Sequence, residues 1–217
     1  MNPGKKISGL YAVTPETADT DALAAKVSAA LRGGARIVQY RSKSDDLALR
    51  RRQAGDLARL CRSRGAVFIV NDSIELALQV QADGVHLGRD DDGVDKARAL
   101  LGPGRIIGVS CYDEIGRAHA AKRQGADYVA FGSFFASPTK PAAVRAQPQL
   151  LGMAAKQAGL PVVAIGGIDL GNAFGLIAAG ADALAVVSAL FDAADTQAQA
   201  RRFVRLFESF SLTGKQA

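Results

Sequence analysis

Eight short apolar runs, separated by amphipathic segments, constrain the fold of this chain most. Each run is four or five residues long and almost continuously apolar, as expected of strands that are buried on both faces. The runs cover residues 10–13, 37–40, 67–70, 84–87, 106–109, 128–131, 162–165 and 183–187. The segments between them carry apolar residues at helical spacing, for example Leu23, Val27 and Leu31. The sequence therefore predicts alternating strands and helices around a parallel sheet.

A repeated phrase marks several of the joins between a helix and the next strand. The copies read Gly34-Ala35-Arg36, Gly125-Ala126-Asp127 and Gly180-Ala181-Asp182, with Ala82-Asp83-Gly84 as a shorter version. Glycine at a helix end is typical of a left-handed cap. Eight such strand–helix units in one chain predict an α/β fold, a single (β/α)8 TIM barrel. A doubly wound open sheet is the alternative that this pattern leaves open.

The bulk composition favours one domain. The chain has 217 residues, of which 48% are hydrophobic, and no linker or change of composition divides it. We therefore expect one TIM-barrel domain over residues 1–217, with flexible ends near 1–7 and 211–217. No apolar run approaches the roughly 20 residues that a membrane span needs, and no signal peptide is evident. Cys61 and Cys111 lie far apart in the sequence, so we expect reduced thiols and a cytoplasmic location.

The formal net charge of +6 indicates a partner that is anionic. The basic residues are scattered along predicted helices, and the densest run, residues 50–52, has no interleaved aromatic residues. No nucleic-acid-binding motif is present in the sequence. We therefore expect phosphorylated small molecules as ligands, with neither nucleic acid nor membrane as a partner. A homo-oligomer is compatible with the sequence.

Acidic residues follow two neighbouring strands. Asp72 comes after the third apolar run and Asp91 after the fourth. The carboxyl ends of adjacent parallel strands meet at one edge, so we expect the two carboxylates to converge. Such a pair suits Mg²⁺ shared with a substrate phosphate. Acidic residues after strands also serve as turn formers and helix caps, and that interpretation stays open here.

Cations and a hydroxyl follow the second and fifth strands. Arg41 and Lys43 lie two residues apart, so their side chains would point to the same side of an extended strand end. A guanidinium beside an ammonium suits a polyphosphate, although a solvated basic loop has the same composition. Ser110 follows the fifth strand and has a hydroxyl that can donate to a phosphate oxygen.

A second anion site is predicted after the seventh and eighth strands. Gly166-Gly167 and Val187-Ser188 follow these strands, where barrels of this kind usually bind phosphate on free backbone amides. The long loop after the sixth strand contains Ser137, Thr139 and Lys140 between prolines and is typical of a lid.

General acid–base groups are scarce in the sequence. His86 lies within the fourth apolar run and is interpreted as a packed side chain, and Cys111 has no base partner. Two anion sites and an acidic pair suit two phosphorylated substrates with diphosphate as the leaving group. Catalysis would then rest on positioning and charge stabilisation.

These motifs together resemble the thiamine phosphate synthase family, in order from residue 10 to residue 190. The resemblance is carried by Gln39-Tyr40-Arg41-Ser42-Lys43, Asn71-Asp72, His86-Leu87-Gly88-Arg89-Asp90-Asp91, Gly108-Val109-Ser110, Ser137-Pro138-Thr139-Lys140, Ile165-Gly166-Gly167-Ile168 and Val186-Val187-Ser188. It implies a TIM barrel that joins hydroxymethylpyrimidine diphosphate to (carboxy)thiazole phosphate. The products would be thiamine phosphate and diphosphate, with Mg²⁺ assisting the departure of diphosphate.

The resemblance also implies roles for individual residues. Asp72 and Asp91 would bind Mg²⁺. The pyrimidine diphosphate would be bound by Gln39, Tyr40, Arg41, Ser42, Lys43, Asn71, Ser110 and Lys140. The thiazole phosphate would be bound by Ser137, Thr139, Gly167, Val187 and Ser188, while Lys140, Arg41 and Ser110 would act in catalysis. Arg89 stands where the family usually has Gln, so we expect an added cation beside the acidic pair.

Three alternative functions compete with this interpretation. A thiazole tautomerase has a similar barrel but needs no metal, and we expect it to lack the Asn71-Asp72 pair and the acidic residue at position 91. Another phosphate-binding barrel enzyme is the second alternative. A catalytically silent binding protein is the third, but none of the proposed ligands is lost from the sequence.

Overall fold

A computed structural model describes residues 7–89, 91–136 and 145–213. Its eight strands are all parallel and close into a barrel in the order β1 to β8. The strands are β1 Gly9–Val13, β2 Ile37–Tyr40, β3 Val67–Asn71, β4 Gly84–Leu87, β5 Ile106–Tyr112, β6 Tyr128–Phe131, β7 Val162–Ile165 and β8 Ala183–Val186. Because β8 pairs with β1, the sheet is closed and the open-sheet alternative is excluded.

Helices separate the strands and surround the barrel. They are α1 Thr20–Arg32, α2 Leu47–Ser63, α3 Ile74–Gln79, α4 Val94–Leu101, α5 Ile115–Arg123, α6 Gln149–Ala158, α7 Ala173–Ala178, α8 Ser188–Phe191 and α9 Thr196–Thr213. Side chains cap several of them in the way their sequences predict. The Asp19 carboxylate, for example, accepts from the Ala22 amide at 2.9 Å at the start of α1.

Both faces of the strands are buried, which explains their continuous apolar sequences. In β1, Leu10 and Ala12 pack in the layer between sheet and helices. Tyr11 and Val13 point the other way, into a second cluster that fills the barrel interior. A two-residue alternation therefore exists in each strand, but it divides two apolar environments rather than core from solvent.

The repeated phrase before the strands has a structural role at its aspartates. The carboxylates of Asp83, Asp127 and Asp182 each accept, at 2.8 Å, from a backbone amide at the start of an adjacent strand. The amide of each aspartate also donates to the carbonyl of that same strand residue. Each aspartate thus extends the ladder between two strands by one side-chain bond. The short sequence repeats because the same aspartate contact is made at these three joins between a helix and the next strand.

Strand β5 continues further than its apolar run indicated. Its pairing with β6 shifts register between Ser110 and Tyr112, which is the mark of a β-bulge. Cys111 is the additional residue and is buried, while Tyr112 adopts a left-handed φ of 56°. Ser110 and Tyr112, on either side of Cys111, both line the cavity at the rim.

The described part of the chain includes residues that were expected to belong to flexible ends. Ile7 is 1% exposed and belongs to the cluster inside the barrel, so the packed structure begins at or before this residue. Helix α9 includes residues 211–213. Although α9 has 18 residues, no helix in the described ranges has the length and apolar character that a membrane crossing requires.

Gly108 shows how closely the barrel interior is packed. A Cβ atom at this position would lie 2.0 Å from the Cζ atom of Tyr128. The Tyr128 ring is fully buried, so it has no room to withdraw. Gly108 is therefore required by the close approach of an aromatic ring and not by its own backbone dihedrals.

We expect Gly108→Ala to lower the free energy of unfolding by about 1–3 kcal/mol because it overpacks the interior. Urea unfolding followed by circular dichroism measures the change. Gly116→Ala is the matched control, since a Cβ there has open space and the residue lies on helix α5. The control should be neutral or stabilising by up to about 1 kcal/mol. Equal stability of the two variants would contradict the packing argument.

Candidate active site

A cavity of about 520 Å³ opens at the carboxyl ends of the strands, where the sequence placed the site. It brings together predicted residues that are scattered along the chain. Those lining it are Gln39, Arg41, Asn71, Ser110, Gly167, Val187 and Ser188. A second cavity of about 550 Å³ lies at the other end of the barrel and is lined by no predicted site residue. That end of a TIM barrel usually serves stability, so the rim cavity is the candidate active site.

A row of hydrogen-bonded polar side chains crosses the floor of this cavity. The Gln39 Nε2 atom donates to the Tyr11 hydroxyl at 2.8 Å, and the hydroxyls of Tyr11 and Tyr128 are 2.8 Å apart. The His86 Nδ1 atom lies 2.9 Å from the Tyr128 hydroxyl, and its Nε2 atom lies 2.9 Å from Ser110 Oγ. We call these five side chains the polar row. It connects two predicted substrate ligands, Gln39 and Ser110, through three buried residues.

The buried members of the polar row keep their neutral forms. Burial lowers the pKa of His86 to about 4, so its imidazole is uncharged at neutral pH. Burial also raises the pKa values of the Tyr11 and Tyr128 hydroxyls, so both remain protonated. The interpretation of His86 as a packed side chain is confirmed. With both ring nitrogens engaged, the imidazole orients Ser110 and does not act as a free base.

Sequence analysis missed Tyr11 and Tyr128. Both lie in apolar runs, where a tyrosine is interpreted as a residue of the hydrophobic core. A signal was nevertheless present, because β1 alternates and Tyr11 shares its inward face with Val13. The register pairs Val13 with Gln39, so Tyr11 lies one step below a predicted ligand. Two-residue alternation therefore identifies Tyr11 once Gln39 is known to face inward.

The acidic pair converges as predicted. The Asp72 amide donates to the His86 carbonyl at 2.9 Å, and Asp72 adopts a left-handed φ of 63°. Asp91 is oriented by the Gly88 amide, which donates to its Oδ2 atom at 2.6 Å. Burial raises the pKa of Asp72 to about 6, and Asp91 adds to this through a side-chain hydrogen bond and its charge. Arg41 acts on Asp72 in the opposite direction, so cation and carboxylate are neighbours here.

This pair fits a hard divalent cation. Two adjacent carboxylates repel each other when both are ionised, and a bound cation relieves that repulsion. The described residues contain no cluster of three or more His, Cys, Asp or Glu side chains placed for a metal ion. Mg²⁺ commonly uses one or two carboxylates and completes its coordination with water and substrate phosphate. Asp90, which directly precedes Asp91 in the sequence, lies outside the described residues.

The loop after β2 presents cations at the rim but turns one predicted ligand away. Arg41 lines the cavity, and Lys43 is exposed beside it. The Tyr40 side chain is buried, and its hydroxyl donates to Gln53 Oε1 on helix α2 at 2.9 Å. A strand residue adjacent to an inward-facing Gln39 must face outward, so the Tyr40 side chain contacts the helix layer and not the cavity.

The glycine pair after β7 is shaped by the loop that follows β6. A Cβ at Gly166 would lie 2.0 Å from Ser133 Oγ, and one at Gly167 would lie 2.4 Å from the Ala136 carbonyl oxygen. Glycine therefore lets this loop pack directly on the end of β7. Nearby, helix α8 begins at Ser188, whose amide has no helical acceptor, as at the start of any helix. This side of the cavity thus offers backbone amides and a hydroxyl.

Three predicted ligands, Ser137, Thr139 and Lys140, fall in residues 137–144, outside the described ranges. Their roles remain predictions.

The Arg89 side chain has partners of its own at the rim. Its guanidinium forms an ion pair with Glu114 and lies 4.8 Å from the centroid of the Tyr112 ring. The cation that acts on Asp72 is Arg41. An effect of Arg89 on the acidic pair stays a prediction.

Comparison with known proteins assigns the family. The model of the family described as thiamine monophosphate synthase matches residues 10–190. The chain belongs to the thiamine monophosphate synthase family. A thiamine-phosphate synthase of Thiobacillus denitrificans is 57% identical over 199 residues, covering 92% of this chain and 94% of the relative. That of Aromatoleum aromaticum is 55% identical over 207 residues, covering 95% and 100%.

A solved structure agrees with the family and the fold. The thiamine phosphate pyrophosphorylase from Pyrococcus furiosus superposes with a TM-score of 0.82 at 33% sequence identity, over 95% of this chain and 98% of the other. The barrel is therefore that of the thiamine monophosphate synthase family.

We expect Tyr128→Phe to lower the free energy of unfolding by about 1–3 kcal/mol. The change removes the hydroxyl that bonds both Tyr11 and His86, and it leaves buried polar atoms without a partner. Urea unfolding measures the effect. Tyr112→Phe is the matched control, because its partly buried hydroxyl accepts only a 3.3 Å bond from the Arg89 amide. A Tyr128→Phe variant as stable as the control would argue against a structural polar row.

Proposed function

We propose that the rim cavity binds the two substrates of a thiamine-phosphate synthase in two halves. The family's reaction joins hydroxymethylpyrimidine diphosphate to thiazole phosphate and belongs to thiamine biosynthesis. In our proposal, the half formed by β2, β3 and β5 binds the pyrimidine diphosphate. The half formed by β7 and β8 binds the thiazole phosphate. The observation that carries this division is the single cavity that joins Arg41 and Asn71 to Gly167 and Ser188.

The pyrimidine half offers groups for both parts of its substrate. Because the Gln39 Nε2 atom donates to Tyr11, the Gln39 carbonyl oxygen is the end left to accept from an amino group on the ring. Arg41 presents a planar donor fork that suits the diphosphate. Asn71 and Ser110 add an amide and a hydroxyl that can donate to phosphate oxygens. Ser42 and Lys43 follow Arg41 in the same loop and would add a hydroxyl and a second cation to this half.

We propose that Asp72 and Asp91 hold Mg²⁺ at the edge of this half. When bound, the ion would neutralise charge that develops on the departing diphosphate. The support is the like-charged pair itself, whose members are brought together by β3 and the turn after β4. Arg41 acts on Asp72 through its charge, so Arg41 and an ion held by the two carboxylates would both serve the diphosphate.

The thiazole half supports a phosphate mainly through backbone groups. Gly167, Val187 and Ser188 line this side of the cavity. Amides at a strand–helix turn bind a phosphate monoester without needing a cation. Ser137 and Thr139 are proposed to complete this half, and Lys140 to face the diphosphate. This arrangement leaves the cations free to serve the other substrate.

In this proposal the reaction breaks the bond between the pyrimidine methylene carbon and the diphosphate oxygen, and the electron pair leaves with diphosphate. The thiazole nitrogen then forms the new bond to that carbon. The described side chains contribute little proton transfer, because His86 is neutral and bonded at both nitrogens. Their work is to orient two anions and to stabilise the leaving group. Arg41 and Ser110 are proposed to contact that group, together with Lys140 from outside the described residues.

We also propose that the protein works in the cytoplasm. Both cysteines are buried thiols without a disulfide, as suits a reducing compartment.

The direct test mixes the purified chain with hydroxymethylpyrimidine diphosphate, thiazole phosphate and Mg²⁺. We expect thiamine phosphate and one equivalent of diphosphate, detected by chromatography. Reactions with either substrate alone are the controls and should give no coupled product. A tautomerase would also give no thiamine phosphate from the complete mixture, so that outcome would reject the synthase assignment.

We expect Asp72→Asn and Asp91→Asn each to lower kcat/KM about a hundredfold or more, because each removes half of the proposed metal site. Far-ultraviolet circular dichroism should remain unchanged. Asp92→Asn is the matched control, since Asp92 pairs with Lys96 at 2.7 Å on the exposed surface. Full wild-type activity in excess chelator would rule out the metal, whatever the variants do.

A further inference from the structure

The loop after β1 is hydrogen-bonded to the loop after β2 at two points. We call residues 41–44 the cation loop, because it carries Arg41 and Lys43. At the first point, the Arg41 amide donates to Thr14 Oγ1 at 2.9 Å. The same hydroxyl donates to the Arg41 carbonyl at 3.2 Å, and Thr14 is only 2% exposed. One buried hydroxyl therefore satisfies both backbone groups of the residue that carries the guanidinium.

At the second point, the Glu16 carboxylate holds the middle of the cation loop. Its Oε1 atom accepts from the Ser42 hydroxyl at 2.9 Å, and its Oε2 atom accepts from the Lys43 amide at 2.9 Å. The Ser44 amide in turn donates to Ser42 Oγ at 3.2 Å. Both carboxylate oxygens are thus directed at the loop and not at a cation side chain.

A buried glutamine connects the loop after β1 to the last residue of β2. Gln53 on helix α2 is 1% exposed, and its Oε1 atom accepts from the Tyr40 hydroxyl at 2.9 Å. Its Nε2 atom donates to the Thr17 carbonyl at 3.0 Å. The loop after β1 is therefore fixed to α2 as well as to the cation loop, which makes it a rigid support.

We infer that Thr14 and Glu16 are positioning residues for the pyrimidine-diphosphate half, an inference that rests on the proposed function. They fix the backbone of residues 41–43, so that Arg41 and Lys43 are ordered at the rim before the substrate arrives. A carboxylate is the wrong charge to bind a diphosphate, so Glu16 contributes through the two bonds it accepts. Ordering the loop in advance removes an entropic cost from substrate binding.

The first test compares Glu16→Ala with Glu16→Gln. Alanine removes both bonds, and we expect the KM for the pyrimidine diphosphate to rise about tenfold while that for the thiazole phosphate stays unchanged. Glutamine can keep both contacts, because its oxygen accepts from the Lys43 amide and its nitrogen donates to Ser42 Oγ. We therefore expect the Gln variant to stay within about twofold of wild type. Glu208→Ala, at an exposed position of helix α9, is the matched control and should match wild type.

The second test uses Thr14→Val and Thr14→Ser. Valine keeps the shape but loses the hydroxyl, so we expect the KM for the pyrimidine diphosphate to rise by at least the same factor. Serine retains the hydroxyl and should restore most of the wild-type KM. Thermal unfolding of each variant is measured in parallel. If the Val variant does not fold, the comparison of Glu16→Ala with Glu16→Gln decides alone.

Three outcomes would overturn the inference. An equal rise of both KM values, or a loss of stability with both KM values unchanged, would mean a merely structural contact. Tighter binding of the pyrimidine diphosphate by Glu16→Gln would mean that the carboxylate acts through its charge. Equilibrium binding of inorganic diphosphate, with and without Mg²⁺, gives a readout independent of coupling. Weaker binding by Glu16→Ala would support the positioning role even if wild type formed no thiamine phosphate.

Discussion

Closure of the sheet by the pairing of β8 with β1 is the constraint on which the rest of this structure depends. A closed parallel barrel brings eight carboxyl ends to one rim, so residues far apart in sequence become neighbours. It also places β1 between β8 and β2. The glycine-lined side and the cation-lined side of the cavity are therefore separated by one strand end, and the loop carrying Thr14 and Glu16 lies between them.

Closure has a second consequence, because the barrel interior must be filled. Most of the inward-facing residues are apolar, but near the rim the polar row replaces them. A buried polar group without a partner costs about 1–3 kcal/mol, so a partly bonded row would be worse than an apolar layer. Here each hydroxyl and ring nitrogen of the row has a partner. The row thus gives Gln39 and Ser110 defined orientations without introducing charge beneath the cavity.

Much of the fold and part of the site could be predicted from the sequence, for physical reasons that also mark the limit. Strands buried on both faces leave a plain apolar signal, and strand ends in a barrel identify the rim. The positions of Arg41 and Ser110 in the rim cavity, and of Asp72 next to Asp91, could therefore be predicted. Side chains that act through other residues leave no such signal. Glu16 looks like a loop residue before a helix. Its two contacts come from a loop 26 and 27 residues later, which no local pattern records.

The rim concentrates interactions that favour function over stability. Asp72 combines a left-handed backbone, partial burial and a like-charged neighbour, each of which is unfavourable in isolation. The charge of Arg41 and a side-chain hydrogen bond from Asn71 act in the opposite direction on Asp72, and Arg41 is itself held by Thr14 through its backbone. The two backbone bonds to Thr14 therefore fix the start of the cation loop next to Asp72. The proposed binding of a cation and a diphosphate would need Arg41 and Asp72 to keep defined positions, and the contacts behind the cation loop would help to maintain them.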